Sequence, residues 1–210
     1  LDVSTISELP AGRREIASHV VPLAERPGWR ARVWQRVSEE VATGRQAFIV
    51  CPAIDSATEE DSDGDEQDSS AAGSEPTGGT AGASTPVGNP LTTVADTHAM
   101  LSDHPLFKDT RIETLHGRLT SEEKDRVMRD FVAGAINVLV ATTVIEVGVD
   151  VPNASIMVVL DADRFGVSQL HQLRGRIGRG EAPGLALFVT TAARGTVARE
   201  RVESVASTLA

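Results

Sequence analysis

Thr120-Ser-Glu-Glu-Lys-Asp-Arg-Val-Met-Arg-Asp-Phe-Val-Ala-Gly134, followed one residue later by Ile136-Asn-Val-Leu-Val-Ala141, decides the fold. Thr120 and Glu123 have the spacing of a capping box, so a helix starts there. Val127, Met128, Phe131 and Val132 recur on one side of it, and Gly134 ends it. The run from Ile136 to Ala141 is apolar almost without interruption, which fits a strand covered on both faces. An amphipathic helix feeding a doubly covered strand is the repeating unit of a parallel sheet.

The same grammar extends in both directions. Arg111-Ile-Glu-Thr-Leu115 is a strand on the upstream side, and Ser155-Ile-Met-Val-Val-Leu160 is another downstream. Earlier, the segment from Arg14 to Val21 alternates polar and apolar residues as a strand does. Trp29 to Thr43 is a helix with Val33, Trp34, Val37 and Val41 on one face, closed by Gly44, and Ala47-Phe-Ile-Val-Cys51 is a further buried strand. Leu91 to Leu101 reads as helix, Leu185 to Val189 as a last strand, and Val197, Val202, Val205 and Leu209 line one side of a terminal helix. The fold class is therefore α/β, a mainly parallel β-sheet flanked by helices.

Between the two halves the pattern stops. Residues 55–90 consist of Asp, Glu, Ser, Thr, Gly, Ala, Asn, Gln and Pro, with Val87 as the one large apolar side chain, and are expected to form a disordered acidic insert. Nine carboxylates lie from Asp55 to Glu75; without them the chain carries 20 basic against 21 acidic residues, although the formal net charge is −10. The acidity therefore belongs to a segment and does not exclude a nucleic-acid partner for the remainder. A single cysteine, Cys51, rules out an internal disulfide framework and points to a reducing compartment. No apolar run reaches the ~18 residues of a membrane span, so a cytoplasmic protein with no membrane partner is expected. The absence of an initiator methionine suggests a piece of a longer polypeptide.

Candidate chemistry follows the strands. His116-Gly-Arg118 comes after Leu115, Thr142-Thr143 after Ala141, and Asp161-Ala-Asp-Arg164 after Leu160; in a parallel sheet such clusters converge on one edge. The next stretch, Gln169-Leu-His-Gln-Leu-Arg-Gly-Arg-Ile-Gly-Arg-Gly180, holds His171, Arg174, Arg176, Arg179 and three glycines. Ser168 is positioned to cap its helix. Interior glycines weaken a helix by ~1 kcal/mol each, and arginine forks suit phosphate oxygens, so a phosphate ligand is the expectation, with Arg176 and Arg179 on one helical face. No Gly-x-x-x-x-Gly-Lys-[Ser/Thr] phosphate loop and no Asp-Glu pair after a buried strand occurs in the sequence. The arginines thus read as half of a nucleotide site, with no metal ligands of their own.

These residues carry a resemblance. Gln172-Leu-Arg-Gly-Arg-Ile-Gly-Arg179 is similar to motif VI of superfamily 2 helicases, and Val140-Ala-Thr-Thr-Val-Ile-Glu-Val-Gly-Val-Asp-Val-Pro152 to their motif V. Leu115-His-Gly-Arg-Leu119 resembles motif IVa and Phe48-Ile-Val-Cys-Pro52 motif IV. Motif V together with Asp163-Arg-Phe-Gly-Val-Ser-Gln-Leu-His-Gln-Leu-Arg-Gly-Arg176 most resembles the RecG-type ATP-dependent DNA helicases. The resemblance implies a RecA-like second motor lobe at 14–192, interrupted at 55–90, after an interdomain segment at 1–13 and before the start of a helical coupling element at 193–210. It also implies ATP and Mg2+ as cofactors, held mainly by a first RecA-like lobe, and branched or duplex DNA as partner, with a wedge domain in the same polypeptide. By motif, Arg176 and Arg179 would be arginine fingers; Gly148, Asp150 and Gln172 would line the ATP site; Thr142, Gly117 and His116 would hold DNA phosphates. The alternatives are the motor lobe of a transcription-repair coupling helicase, or a non-catalytic α/β module that binds nucleic acid.

Overall fold

Among the described residues six strands, numbered in chain order, run parallel in one sheet whose order, β1-β6-β5-β2-β4-β3, departs from the order of the chain. The strands are β1 (Ile16–Pro22), β2 (Gln46–Val50), β3 (Ile112–Leu115), β4 (Val138–Ala141), β5 (Ala154–Val159) and β6 (Gly184–Thr190). Among the described residues five α-helices connect or follow them: α1 (Trp29–Ala42), α2 (Val94–Asp103), α3 (Ser121–Val132), α4 (Val167–Arg174) and α5 (Val197–Ser207). This computed structural model describes residues 16–53, 91–142, 153–178 and 183–208. The readings made for residues 1–13, the insert at 55–90, Thr143, Gly148, Asp150, Arg179 and Leu209 lie outside them.

Every residue of β2, β4 and β5 is buried, because helices cover both faces of the sheet's centre. Alternate side chains divide between the faces. Ala47 and Ile49 join Val33, Trp34 and Val37 of α1 and Val94 and Leu101 of α2 on one face. Phe48 and Val50 join Val127 and Phe131 of α3, Leu170 and Leu173 of α4, and Val202 and Val205 of α5 on the other. After β2 the chain moves outward to β3 and β4, then returns to the opposite side of β2 for β5 and β6. That reversal leaves a crevice at the carboxyl ends of the central strands, where open parallel sheets bind ligands.

Buried polar groups fasten the amino edge. Glu40 of α1 is 5% exposed; Ser155 Oγ donates to it at 2.6 Å and Arg45 Nη1 at 3.1 Å, and Arg36 closes an ion pair one turn away. Burial by itself would raise the Glu40 carboxyl, but the Ser155 and Arg45 bonds and the charges of Arg36 and Arg45 hold it below its ordinary value. Gln46 Nε2 donates to the carbonyls of Phe131 and Ile136, tying the exit of α3 to β2.

Local expectations meet three corrections. Helix α4 begins after Gly166, not at a Ser168 cap: the Gln169 side chain accepts from Gly166 N–H at 2.9 Å and supplies the reciprocal half of the cap. Val132 is 46% exposed, since it stands about 100° around the helix from Phe131 and overshoots the sheet. Val197 is 74% exposed at the first position of α5, before that helix meets the sheet. The Thr120–Glu123 capping box forms as read; bonds from the Thr120 backbone and hydroxyl lower the Glu123 carboxyl.

Candidate functional site

The carboxyl edge gathers the residues that the sequence marked after β3 and β4. Leu115 and Ala141 are paired partners, so His116 and Thr142 leave neighbouring strands about 4.8 Å apart. Thr142 N–H donates to the Leu115 carbonyl at 3.2 Å, which pins the start of the β4 loop to the end of β3. Thr142 is 5% exposed, and its Oγ1 is buried with no hydrogen-bond partner among the described residues. A buried hydroxyl left unbonded costs about 1–3 kcal/mol, which a ligand oxygen would relieve. Gly117 lies exposed one residue beyond half-buried His116, in a turn closed by Leu119 N–H to the His116 carbonyl at 3.2 Å. His116, Gly117 and Thr142 therefore form one cluster.

The third sequence cluster does a different job. Asp161, the one described non-glycine residue with positive φ (47°), accepts the Thr92 N–H at 2.7 Å. Asp163 accepts the Thr190 hydroxyl, and its carbonyl takes a bond from Arg201 Nη2 at 3.3 Å. The Asp161–Arg164 turn thus braces the loops after β2, β5 and β6, beside a polar cleft of about 440 Å³ that Arg30, Asp96 and Arg164 also line. Sequence position alone did not signal this bracing, because its partners lie 27 to 69 residues away. Burial pushes the Cys51 thiol up to about 12, so it stays protonated and unreactive at neutral pH.

In the arginine-rich stretch Arg174 braces the fold. Arg174 is 6% exposed and turns into the fold: Nη1 donates to the carbonyls of Val205 at 3.0 Å and Thr208 at 2.6 Å, and Nη2 lies 3.3 Å from His171 Nδ1. A cation at the carboxyl end of α5 is favoured by the helix dipole as well as by these bonds. The grouping of His171 and Arg174 with the phosphate-seeking cations is thereby corrected; Arg174 fastens α4 to α5. Gln172 is exposed on α4.

Helix α4 stops at Arg174, so Arg176 stands in the turn beyond it and not on a helical face. Arg176, half-buried, follows the terminating Gly175, and Arg179 lies outside the described residues. Gly178 has φ +71°, and a Cβ there would stand 3.0 Å from Ile16 Cγ1 and 3.5 Å from the Gly184 backbone. Ile16 and Gly184 are the paired first residues of β1 and β6, so α4 carries the chain from the carboxyl edge of the sheet to its amino edge. The described clusters that follow strands stay at the carboxyl edge, whereas the arginine-rich stretch reaches the amino edge by Gly178. The glycine needed for close approach here lets this turn pack onto two strands of its own sheet.

The all-parallel sheet, covered on both faces and followed by this short helix and glycine turn, is a RecA-like motor lobe of the helicase type. The helicase conserved C-terminal domain family matches residues 89–181. ATP-dependent DNA helicase RecG of Mycobacterium leprae is 46% identical over 209 residues, covering 100% of this chain and 25% of the relative. The Bacillus subtilis RecG is 42% identical over 182 residues, covering 86% of the chain and 22% of the relative. A solved structure of RecG bound to a three-way DNA junction superposes with a TM-score of 0.66 at 34% identity, covering 95% of this chain and 21% of that one. The second domain of the DEAD-box helicase Mss116p, at 14% identity and a TM-score of 0.51 over 92% of this chain and 69% of that one, shares the fold. The chain belongs to the RecG-type helicases of superfamily 2, as their C-terminal RecA-like lobe. It spans about a quarter of the length of the curated relatives it matches. Among the described residues no helix is long and apolar enough to cross a membrane.

Proposed function

We propose that this lobe serves an ATP-dependent DNA translocase that remodels branched DNA such as stalled forks and Holliday junctions in recombination and repair, working in the bacterial cytoplasm at the nucleoid. The observation that carries the reading is the separation of two polar regions. Thr142, whose buried hydroxyl has no partner among the described residues, sits with His116 and Gly117 at the carboxyl edge, while the turn that follows Arg176 packs at the amino edge through Gly178. One region suits a DNA backbone and the other a nucleotide held by a first RecA-like lobe.

In this reading Thr142, Gly117 and His116 grip phosphates, contacts that position a protein on DNA without reading sequence. Arg176 and Arg179 act as arginine fingers; Gln172, Gly148 and Asp150 line the nucleotide side. The residues fit a phosphate that approaches from outside: Arg176 follows a helix held rigid by Arg174, and the turn beyond is locked at Gly178. Bound ATP, with Mg2+ held mainly by the first lobe, would supply the transferring phosphoryl group, whose charge the guanidiniums neutralise.

Residues 14–192 are then the lobe, with 55–90 inserted and 1–13 leading in from the first lobe and wedge domain. Residues 193–210 begin the coupling element. Because Arg174 bonds the end of α5 and Val202 and Val205 sit in the core, a displacement of α4 moves α5 with it.

In the full-length helicase, Arg176→Ala and Arg179→Ala each lower DNA-stimulated ATP hydrolysis by about 10³-fold or more while ATP binding persists. Unchanged turnover would remove the finger role. The isolated 210 residues are expected to hydrolyse no ATP, and helicase-like turnover from them would refute the half-site reading.

A further inference from the structure

Lys124 sits where a helix least favours a cation. It lies in the opening turns of α3, near the positive end of the helix dipole, beside the first-turn acids Glu122 and Glu123 that such an end prefers. Glu123 is already engaged with the backbone and hydroxyl of Thr120. Among the described residues Lys124 makes no ion pair; its half-buried side chain turns back, and Nζ donates to the Gly117 carbonyl at 3.1 Å. Helix stability therefore does not account for a lysine at this position, whereas the turn before the helix does.

The Gly117 carbonyl belongs to the peptide that joins Gly117 to Arg118. In a planar trans peptide the N–H points opposite to the C=O. By drawing the carbonyl toward α3, Lys124 fixes the direction of the Arg118 N–H on the other side of the turn. Gly117 is exposed, and a glycine without such a tether samples far more backbone conformations than any other residue. We propose that Lys124 is a positioning residue for nucleic-acid binding: its ammonium orders the His116–Leu119 turn so that the exposed Gly117 segment meets a DNA phosphate in one conformation. The inference rests on the reading of the carboxyl edge as the DNA face.

The test uses the full-length helicase and a forked DNA duplex. Lys124→Met keeps the aliphatic stem and removes the charge; the KM for DNA in DNA-stimulated ATP hydrolysis should rise about tenfold, as for one lost charge-assisted hydrogen bond, with a much smaller change in kcat. Lys124→Arg still reaches the carbonyl and should restore most of the loss. The salt dependence of DNA binding separates positioning from direct contact. Its log–log slope stays unchanged if Lys124 acts through the turn; a slope shallower by about 0.9 would make Lys124 itself a phosphate ligand and overturn the proposal. An unchanged KM in Lys124→Met would overturn it as well. Thr142→Val in the same protein keeps the two readings apart. If it raises the KM for DNA while Lys124→Met does not, the Lys124 role alone fails; if neither variant changes it, the DNA face itself is wrong.

Discussion

Polar residues at the two edges of this sheet meet different fates. Toward the amino edge, Arg174 is buried with its guanidinium on the Val205 and Thr208 carbonyls, and Gly178 is packed against Ile16 and Gly184. At the carboxyl edge, Thr142 keeps a buried hydroxyl with no partner among the described residues, and Gly117 lies open beside it. Residue type therefore does not separate bracing from binding. Arg174, whose acceptors are the carbonyls of Val205 and Thr208, shows that a cation in a phosphate-seeking motif can serve the fold itself.

The comparison can be broken most sharply at Gly178. Gly178→Ala forces a side chain into left-handed backbone and against Ile16, and should destabilise the lobe by about 2–3 kcal/mol in urea unfolding. Wild-type stability would mean that this glycine is kept for a ligand and not for packing.

Next in size is Arg174→Met, which leaves two carbonyls of the α5 terminus without their donor and should cost about 2 kcal/mol. Amide exchange should quicken within residues 197–207. Exchange as slow as in the parent protein would return Arg174 to the phosphate-binding candidates.

Thr142→Val sharpens the other half. The hydroxyl it removes has no partner among the described residues, so unfolding stability should hold or rise slightly, while DNA affinity of the full-length protein falls about tenfold. A matching loss of stability would show that Thr142 braces the fold as Arg174 does.

The smallest effect concerns pH. The folded Glu40 carboxyl lies below its unfolded value, so its stabilisation is complete above the ordinary value of 4.5 and is lost as pH falls through the lower folded value. Ser155→Ala removes one of the bonds that lower it, and the acid-unfolding midpoint should move upward. A midpoint that stayed put would mean that Arg36 and Arg45 hold Glu40 without help.

Much of this molecule was legible in the chain. The Thr120–Glu123 cap, the continuous apolar runs of β2 and β4, and the apolar stripe of α1 each depend on residues within a turn or a strand of one another. His116 and Thr142 could be placed together because both directly follow strands that a parallel sheet aligns. The apolar stripes that include Val132 and Val197 were read correctly as faces but not as to burial, since periodicity does not say where a helix outruns the sheet. Lys124, acting against the dipole of its own helix, was a signal available in the sequence and not taken up.

The sequence by itself determined the α/β class, the alternation of helix and strand, the concentration of acid in residues 55–90, and the motifs that mark a helicase lobe. Only the tertiary structure decided the strand order, the opposite edges to which Thr142 and Gly178 belong, and the bracing role of Arg174. The reason is range. Periodicity, caps and turns are written within a few neighbouring residues, whereas Arg174 finds its acceptors 31 and 34 residues away. No local pattern names a partner that only the closed sheet brings near.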